Sequence, residues 1–246
     1  MSISASCFHM HENGWEDRME KLIIIGLSTN ARHVYEFVKD YDLYDIVGFA
    51  VNREYLEEES FKGLPVYALE DLGQSFDRSE VKLFAALLWN RLNADRKKIF
   101  DAMTADGWHF ANLISPHARI RGTVEGTNVW IHDFVVIQND TVIKDDVAIM
   151  GMSLVGANCI IESHCFLGAG STIGGGSTIG SQSFVGMKCT VFDSTLIGEK
   201  CILGACTAVK RNVPDFSVYK TSSDFEIRRY NEDEIEQKLM FRQNKR

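Results

Sequence analysis

The groups in this chain that could do chemistry are six cysteines, seven histidines and a short run of carboxamides and carboxylates. Cys7, Cys159, Cys165, Cys189, Cys201 and Cys206 include no CxxC pair, so neither a zinc site nor a thioredoxin-type redox pair is indicated. Free thiols in a reducing compartment are the plain reading. Gln138, Asn139 and Asp140 form a polar run, and Asn158 follows Asp140 by eighteen residues. If residues eighteen apart lie side by side, these four make a polar face beside the small Ala157. Asp140 could then hold an ammonium ion or accept a proton, or be a turn aspartate satisfying local amides. His132 and His164 could each act as a general base, or be solvent-facing or contact residues. Nearer the N terminus, GLSTNA (Gly26–Ala31) offers backbone N–H groups and two hydroxyls to a phosphate or a uridine, or is simply a tight turn with a helix N-cap.

The elements that must position these groups begin with a repeat. Stepping by six from Ile131 gives Ile137, Ile143, Ile149, Val155, Ile161, Leu167, Ile173, Ile179, Val185, Val191, Ile197, Leu203 and Val209, all branched aliphatics. The residue four places after each, from Val135 and Thr141 to Cys201 and Thr207, is always small or β-branched. Two locked registers of this length predict a left-handed parallel β-helix, with three hexads per triangular coil. The aliphatic fills the narrow interior, and the small residue also points inward where little room is left. Cys159, Cys165, Cys189 and Cys201 occupy the small inward position and read as core residues. Glycine follows the aliphatic at Gly156, Gly168, Gly174, Gly180, Gly186, Gly198 and Gly204, where a turn wants no Cβ. The repeat starts less regularly near Ile114 and Ile120 and is expected to stop at Pro214.

Residues 21–112 alternate strand and helix patterns. KLIIIG, YDIVGFAVN and VKLFAALLWN read as strands. STNARHVYEFVKDY and a segment from Arg91 to about Asp106 read as helices. This alternation predicts a small parallel sheet, whose ligands bind at the carboxyl ends of the strands. Those ends are Gly26–Asn30, Asn52 and Trp89–Asn90. Only Gly26 survives of the three glycines in a dinucleotide fingerprint, which argues against NAD.

A Rossmann-like domain followed by a left-handed β-helix resembles the hexapeptide-repeat sugar O-/N-acyltransferases of the sialic acid acetyltransferase and bacillosamine acetyltransferase type. The likeness spans about residues 20–220 and is carried by KLIIIGLSTNARHVYEFV, GLPVYALEDL, LLWNRLNADR, SHCFLG and KRNVPDFSVY. The resemblance implies a homotrimer, with acetyl-CoA as co-substrate along the outside of the β-helix between neighbours, and a nucleotide sugar held by the N-terminal domain. By position, it places Gly26, Ser28, Thr29, Asn30, Asn52 and Asn90 at the nucleotide sugar. Met187 and Ala205, flanked by Gly186 and Gly204, fall at the cofactor, largely through backbone groups. Lys210 falls near the CoA phosphates, or is a solvated lysine at the end of the repeat.

One departure matters. The family's catalytic histidine position is Ala157 here, with Asn158 beside it, and a second histidine position is Phe166. General-base help is typically worth about 10²–10⁴-fold in attack by a hydroxyl. An amine with a pKa of about 8 is already partly neutral and can attack a thioester without it. The departure therefore favours N-acetylation of an amino sugar, for surface glycan synthesis, with Asn158, Asp140 and Asn139 as the groups left to position it. The alternative is a non-catalytic trimer of the same fold that binds a nucleotide sugar or a partner enzyme. A zinc enzyme of carbonic anhydrase type would need three outward histidines, whereas His132 and His164 alone fall in the regular hexads and at different places, so no metal is expected.

The expected organisation is a polar extension over 1–20, a Rossmann-like nucleotide-sugar domain over 21–112, the β-helix over 113–220 and a charged helical tail over 221–246. A formal net charge of −8 argues against a nucleic-acid partner. No run reaches the roughly 18 apolar residues of a membrane span, and the first 20 residues are too polar for a secretory signal. A cytoplasmic location follows.

Overall fold

The computed structural model describes residues 19–87, 89 and 91–220. Most of the expected polar extension, the charged tail and Asn90 lie outside the described residues.

Strand β1 (Lys21–Ile25) is a continuous apolar run because both faces of its sheet are covered. It pairs in parallel with β2 (Asp45–Val51) and β5 (Val81–Ala85), and β2 pairs in parallel with β4 (Leu64–Ala68). A two-residue strand, β3 (Ser60–Phe61), adds antiparallel to β4, giving the order β3-β4-β2-β1-β5. Alternate residues of β1 enter opposite cores. Leu22 and Ile24 meet Ala31, Val34, Phe37 and Val38 of helix α1 (Thr29–Asp40). Ile23 and Ile25 instead meet Leu72, from the short helix α2 (Leu72–Ser75), and Phe100 and Met103 of helix α3 (Ala94–Ala105). Ser28 caps α1 by accepting a hydrogen bond from the Asn30 N–H at 3.2 Å. The expected start of the second helix at Arg91 is displaced: Arg91, Leu92 and Asn93 have φ of 46°, 56° and 61° and form a left-handed turn before α3.

Beyond Leu113 the chain winds as a β-helix of two-residue strands in three parallel sheets, an arrangement that fits the left-handed form. Sheet I has six strands and includes Arg119–Ile120, Val136–Ile137 and Leu154–Val155. Sheet II has five and includes Thr123–Val124, Val142–Ile143 and Ile160–Ile161; sheet III has seven, from Leu113–Ile114 to Val218–Tyr219. Every aliphatic of the hexad series from Ile131 to Val209 is buried, and so is every small residue from Val135 to Thr207. The winding passes Pro214 rather than stopping there: Val213 bridges Ile197, and Val218–Tyr219 pairs with Ile202–Leu203.

The glycines after the aliphatics have a different cause from the one expected. A Cβ at Gly156, Gly168, Gly174, Gly180, Gly186 or Gly198 would lie 2.3–2.7 Å from atoms of the next coil, so close approach excludes it. The left-handed corners fall two residues later, at Phe134, Asp140, Asp146, Met152, Asn158, His164, Gly170, Gly176, Gln182, Lys188, Ser194, Lys200 and Cys206. Only two of these thirteen residues are glycine, since the coil ladders outweigh the modest cost of αL for other types.

One edge of the β-helix joins it to the N-terminal sheet. Asp146, with no exposed surface, takes a hydrogen bond from Asn128 Nδ2 at 2.5 Å and faces His164 Nδ1 at 2.9 Å. Arg96 of α3 is 3% exposed and donates through Nη2 to the carbonyls of Asp146 and Cys165 at 2.7 and 3.2 Å. Its Nε lies 2.9 Å from Asp146 Oδ1 without its N–H being aimed there, so that contact is electrostatic rather than a hydrogen bond. Asn93 donates to the His164 carbonyl and Gln182 to the Leu92 carbonyl, at 2.8 and 3.0 Å. His164 is thus neither solvent-facing nor a free base, but a buried docking residue.

Candidate active site

The carboxyl ends of β1 and β2 open into a cavity of about 910 Å³. Its floor is Gly26, Val51 and Asn52; α3 contributes Asp95, Lys98 and Ile99 along one wall, and Glu70, Gln74 and Arg78 form the other. Gly73 makes room for Arg78: a Cβ there would lie 2.9 Å from the guanidinium. Arg78 pairs with Asp106 at 2.8 Å and holds that carboxyl below its ordinary pKa range. Tyr55, 63% exposed, lines the cavity from the solvent side. The cavity combines a stackable ring, cations of both walls and carboxylates able to accept from hydroxyls, and its volume suits a nucleotide-sized ligand.

Of the residues assigned to the sugar nucleotide from sequence, Gly26 and Asn52 line this cavity. Ser28, Thr29 and Asn30 do not; they start α1, on the other face of the sheet, and the Ser28 hydroxyl is engaged as the helix cap. Asn90 lies outside the described residues. The α3 wall, Tyr55 and Arg78 were not foreseen, because they join the cavity only through packing between separate segments.

A second hollow, of about 330 Å³, lies on the outside of the β-helix and is lined by Arg119, Arg121, Val136, Ile137, Gln138, Asn139 and Ala157. Chain length makes it. Between the sheet I and sheet II strands, later coils carry four corner residues, such as Gln138–Thr141, but the first coil has only Arg121 and Gly122. A Cβ on Gly122 would sit 2.4 Å from the Thr141 carbonyl oxygen, so the shortened corner closes tightly and leaves Asn139 and Ala157 in an open notch. On the far side Gly175, whose backbone lies next to Ala157, donates to Asp193 Oδ1 at 2.7 Å.

Asn139 and Ala157 therefore share the notch. Asp140 and Asn158 occupy left-handed corners, are exposed, and do not line it. Sequence reading missed Arg119 and Arg121, which belong to the irregular first coil. Of the residues assigned to the cofactor, Gly186, Met187, Gly204 and Ala205 lie together at a different edge, between sheets III and I, with Met187 61% exposed. Lys210 is not with them: it follows a sheet I strand, and its Nζ stands 5.6 Å over the Phe192 ring. His132 is wedged between Phe37 and Trp130, and burial pushes its pKa down. Among the described residues no three His, Cys, Asp or Glu side chains are grouped to hold a metal ion. No described helix is long and apolar enough to cross a membrane.

Comparison with known proteins agrees with this architecture. The family model for bacterial transferase hexapeptide repeats matches residues 140–175, and that for the hexapeptide repeat of succinyl-transferase matches residues 176–211. A search of curated protein sequences finds no match. Among solved structures, a His-to-Asn mutant of perosamine N-acetyltransferase from Caulobacter crescentus, in complex with CoA and GDP-perosamine, superposes with a TM-score of 0.72 at 26% identity. That match covers 80% of this chain and 92% of the other. The acetyltransferase domain of PglB from Neisseria gonorrhoeae superposes with a TM-score of 0.70 at 23% identity, covering 80% and 96%, a likeness of fold. The repeat, the two-part fold and these matches make the chain similar to the hexapeptide-repeat sugar acyltransferases.

Proposed function

We propose that the chain transfers an acetyl group from acetyl-CoA to the amine of a nucleotide-linked sugar. Acetyl-CoA is the co-substrate, in keeping with relatives solved with CoA or acetyl-CoA bound. The nucleotide sugar occupies the large cavity at the ends of β1 and β2, and acetyl transfer takes place at the notch beside Ala157. A trimer, as the family resemblance implies, would bring the two sites of neighbouring chains together. The Caulobacter crescentus perosamine N-acetyltransferase is solved with CoA and GDP-perosamine together, which does not favour a purely non-catalytic role.

The observation that carries the amine over the hydroxyl is the lining of the notch. Its polar groups are two guanidiniums and two carboxamides, none able to take a proton near neutral pH. A neutral amine needs none for attack: its nitrogen bonds to the thioester carbon, the C–S bond breaks, and the nitrogen's surplus proton leaves to solvent or to the departing thiolate. A sugar hydroxyl would forgo the roughly 10²–10⁴-fold that a positioned base supplies. The test is thiol release from acetyl-CoA with UDP-, dTDP- and GDP-linked amino sugars, set against the matching neutral sugars. Turnover confined to amines is expected. O-acetylation of a neutral sugar at ordinary enzymic rates, or acetyl-CoA binding with no turnover on any amine, would overturn the reading. Ala157→His should add O-transfer to an intact scaffold.

A further inference from the structure

The notch has a charge that acetyl transfer to an amine does not require. Arg119 and Arg121 flank Ile120, which packs toward the β-helix interior, so by strand alternation both arginines leave on the outward side. Arg53, Arg78, Arg91 and Arg96 each pair with a carboxylate, whereas neither notch arginine has an ionic partner among the described residues. No acidic side chain lines the hollow. Both arginines are exposed, so water screens their mutual repulsion, and an anion shared between them relieves what remains. Gln138 and Asn139 border them with neutral N–H donors, completing a set that can donate around an anion and is ill suited to a cation.

We propose that this notch binds an oxyanion on the acceptor, with Arg119 and Arg121 as specificity-determining residues beside the transfer point at Ala157. The guanidinium forks suit the bidentate geometry of a carboxylate or a phosphate. Two parts of an acceptor carry such a group: an acidic sugar, or the phosphates joining sugar to nucleotide. The inference rests on the preceding reading in placing transfer at Ala157, and deepens it by naming the charge the acceptor presents there.

The test uses the full chain with ¹⁵N-labelled arginine, following the guanidinium Nε–H signals of Arg119 and Arg121, assigned through Arg119→Gln and Arg121→Gln. The probes are glucuronic acid, glucose and inorganic pyrophosphate. Saturable shifts of both signals with glucuronic acid, at least about tenfold tighter than with glucose, support the proposal with a sugar carboxylate as source. Shifts with pyrophosphate alone support it with the phosphate linkage as source. Either substitution should weaken the responding probe by about 10- to 100-fold, and Arg121→Lys by less, since it keeps the charge and loses the fork. Signals unmoved by both anions overturn the proposal. Thiol release in the same samples separates it from the broader reading. Anion binding without acetyl transfer refutes the broader reading alone. Transfer to amino sugars with no anion response refutes this one alone.

Discussion

Arg96→Met asks how firmly α3 is tied to the β-helix. The guanidinium is almost fully buried, gives two hydrogen bonds to backbone carbonyls and lies against the Asp146 carboxylate, which has no exposed surface. The Cys165 carbonyl keeps its other donor, the Ala148 N–H at 3.0 Å, and the carboxylate keeps Asn128 and His164. What is lost is the donor to the Asp146 carbonyl and, above all, the charge that offsets a buried anion. Stranding one member of a buried pair costs about 3–5 kcal/mol, a large share of the roughly 5–15 kcal/mol by which domains are stable. With a urea slope of about 2 kcal/mol/M, the midpoint should fall by roughly 2 M. Asp146→Asn alone should also destabilise, by leaving the guanidinium uncompensated. The double variant should cost less than the sum of the singles by more than about 2 kcal/mol. Urea titrations followed by tryptophan fluorescence measure all three. A loss below about 1 kcal/mol for Arg96→Met, with additivity in the double, would refute the idea that this pair holds the two parts together.

Further outcomes follow from packing and burial. Gly168→Ala, whose Cβ would fall 2.7 Å from the Met187 nitrogen, should cost about 1–3 kcal/mol in thermal or urea unfolding, whereas Gly170→Asn at a left-handed corner should stay within about 1 kcal/mol. Burial raises the Cys165 thiol to about 12, so near neutral pH it carries almost no thiolate; differential alkylation read by mass spectrometry should label exposed Cys206 well before Cys165, Cys159 or Cys189. Burial holds the His132 pKa below its ordinary value, so the unfolded chain takes the proton first as pH falls. The stability that neutral His132 contributes is present above about pH 6.5 and declines toward its folded pKa. His132→Asn should flatten that fall in midpoints measured between about pH 7.5 and pH 5.5.

The hexad core was legible from sequence because each of its positions has a single demand. The interior admits one aliphatic and one small residue per turn, and the chain from Ile131 to Val209 meets that demand without exception. The glycines were visible, but not why they are there: φ and close approach leave the same letter in a sequence, and only the distance to the next coil separates them. The first coil was the least legible and proved the most informative. Its corner is two residues short and its Arg119–Ile120 strand pairs seventeen, not eighteen, residues on with Val136–Ile137, so although steps of eighteen back from Ala157 reach Asn139 and Arg121, the hexad series does not carry into this coil. Likewise Asn52 and Gly26 could be placed at strand ends, whereas Tyr55, Arg78 and the α3 wall reach the cavity from segments whose meeting no local pattern announces.

The left-handed corners carry a consequence for how such a chain can diversify. Each corner asks for one backbone conformation rather than one residue type, and nine of the thirteen are exposed while remaining in fixed vertical columns. Asn128, Asp146, His164 and Gln182 form one such column, and every one of them is engaged in holding the N-terminal part. The column with Asp140 and Asn158 runs beside the notch, and that with Phe134, Met152, Lys188 and Cys206 faces outward. The three edges of one prism thus act as separate strips: one is committed to holding the N-terminal part, and the other two are open to rewriting without disturbing the interior that keeps them in line.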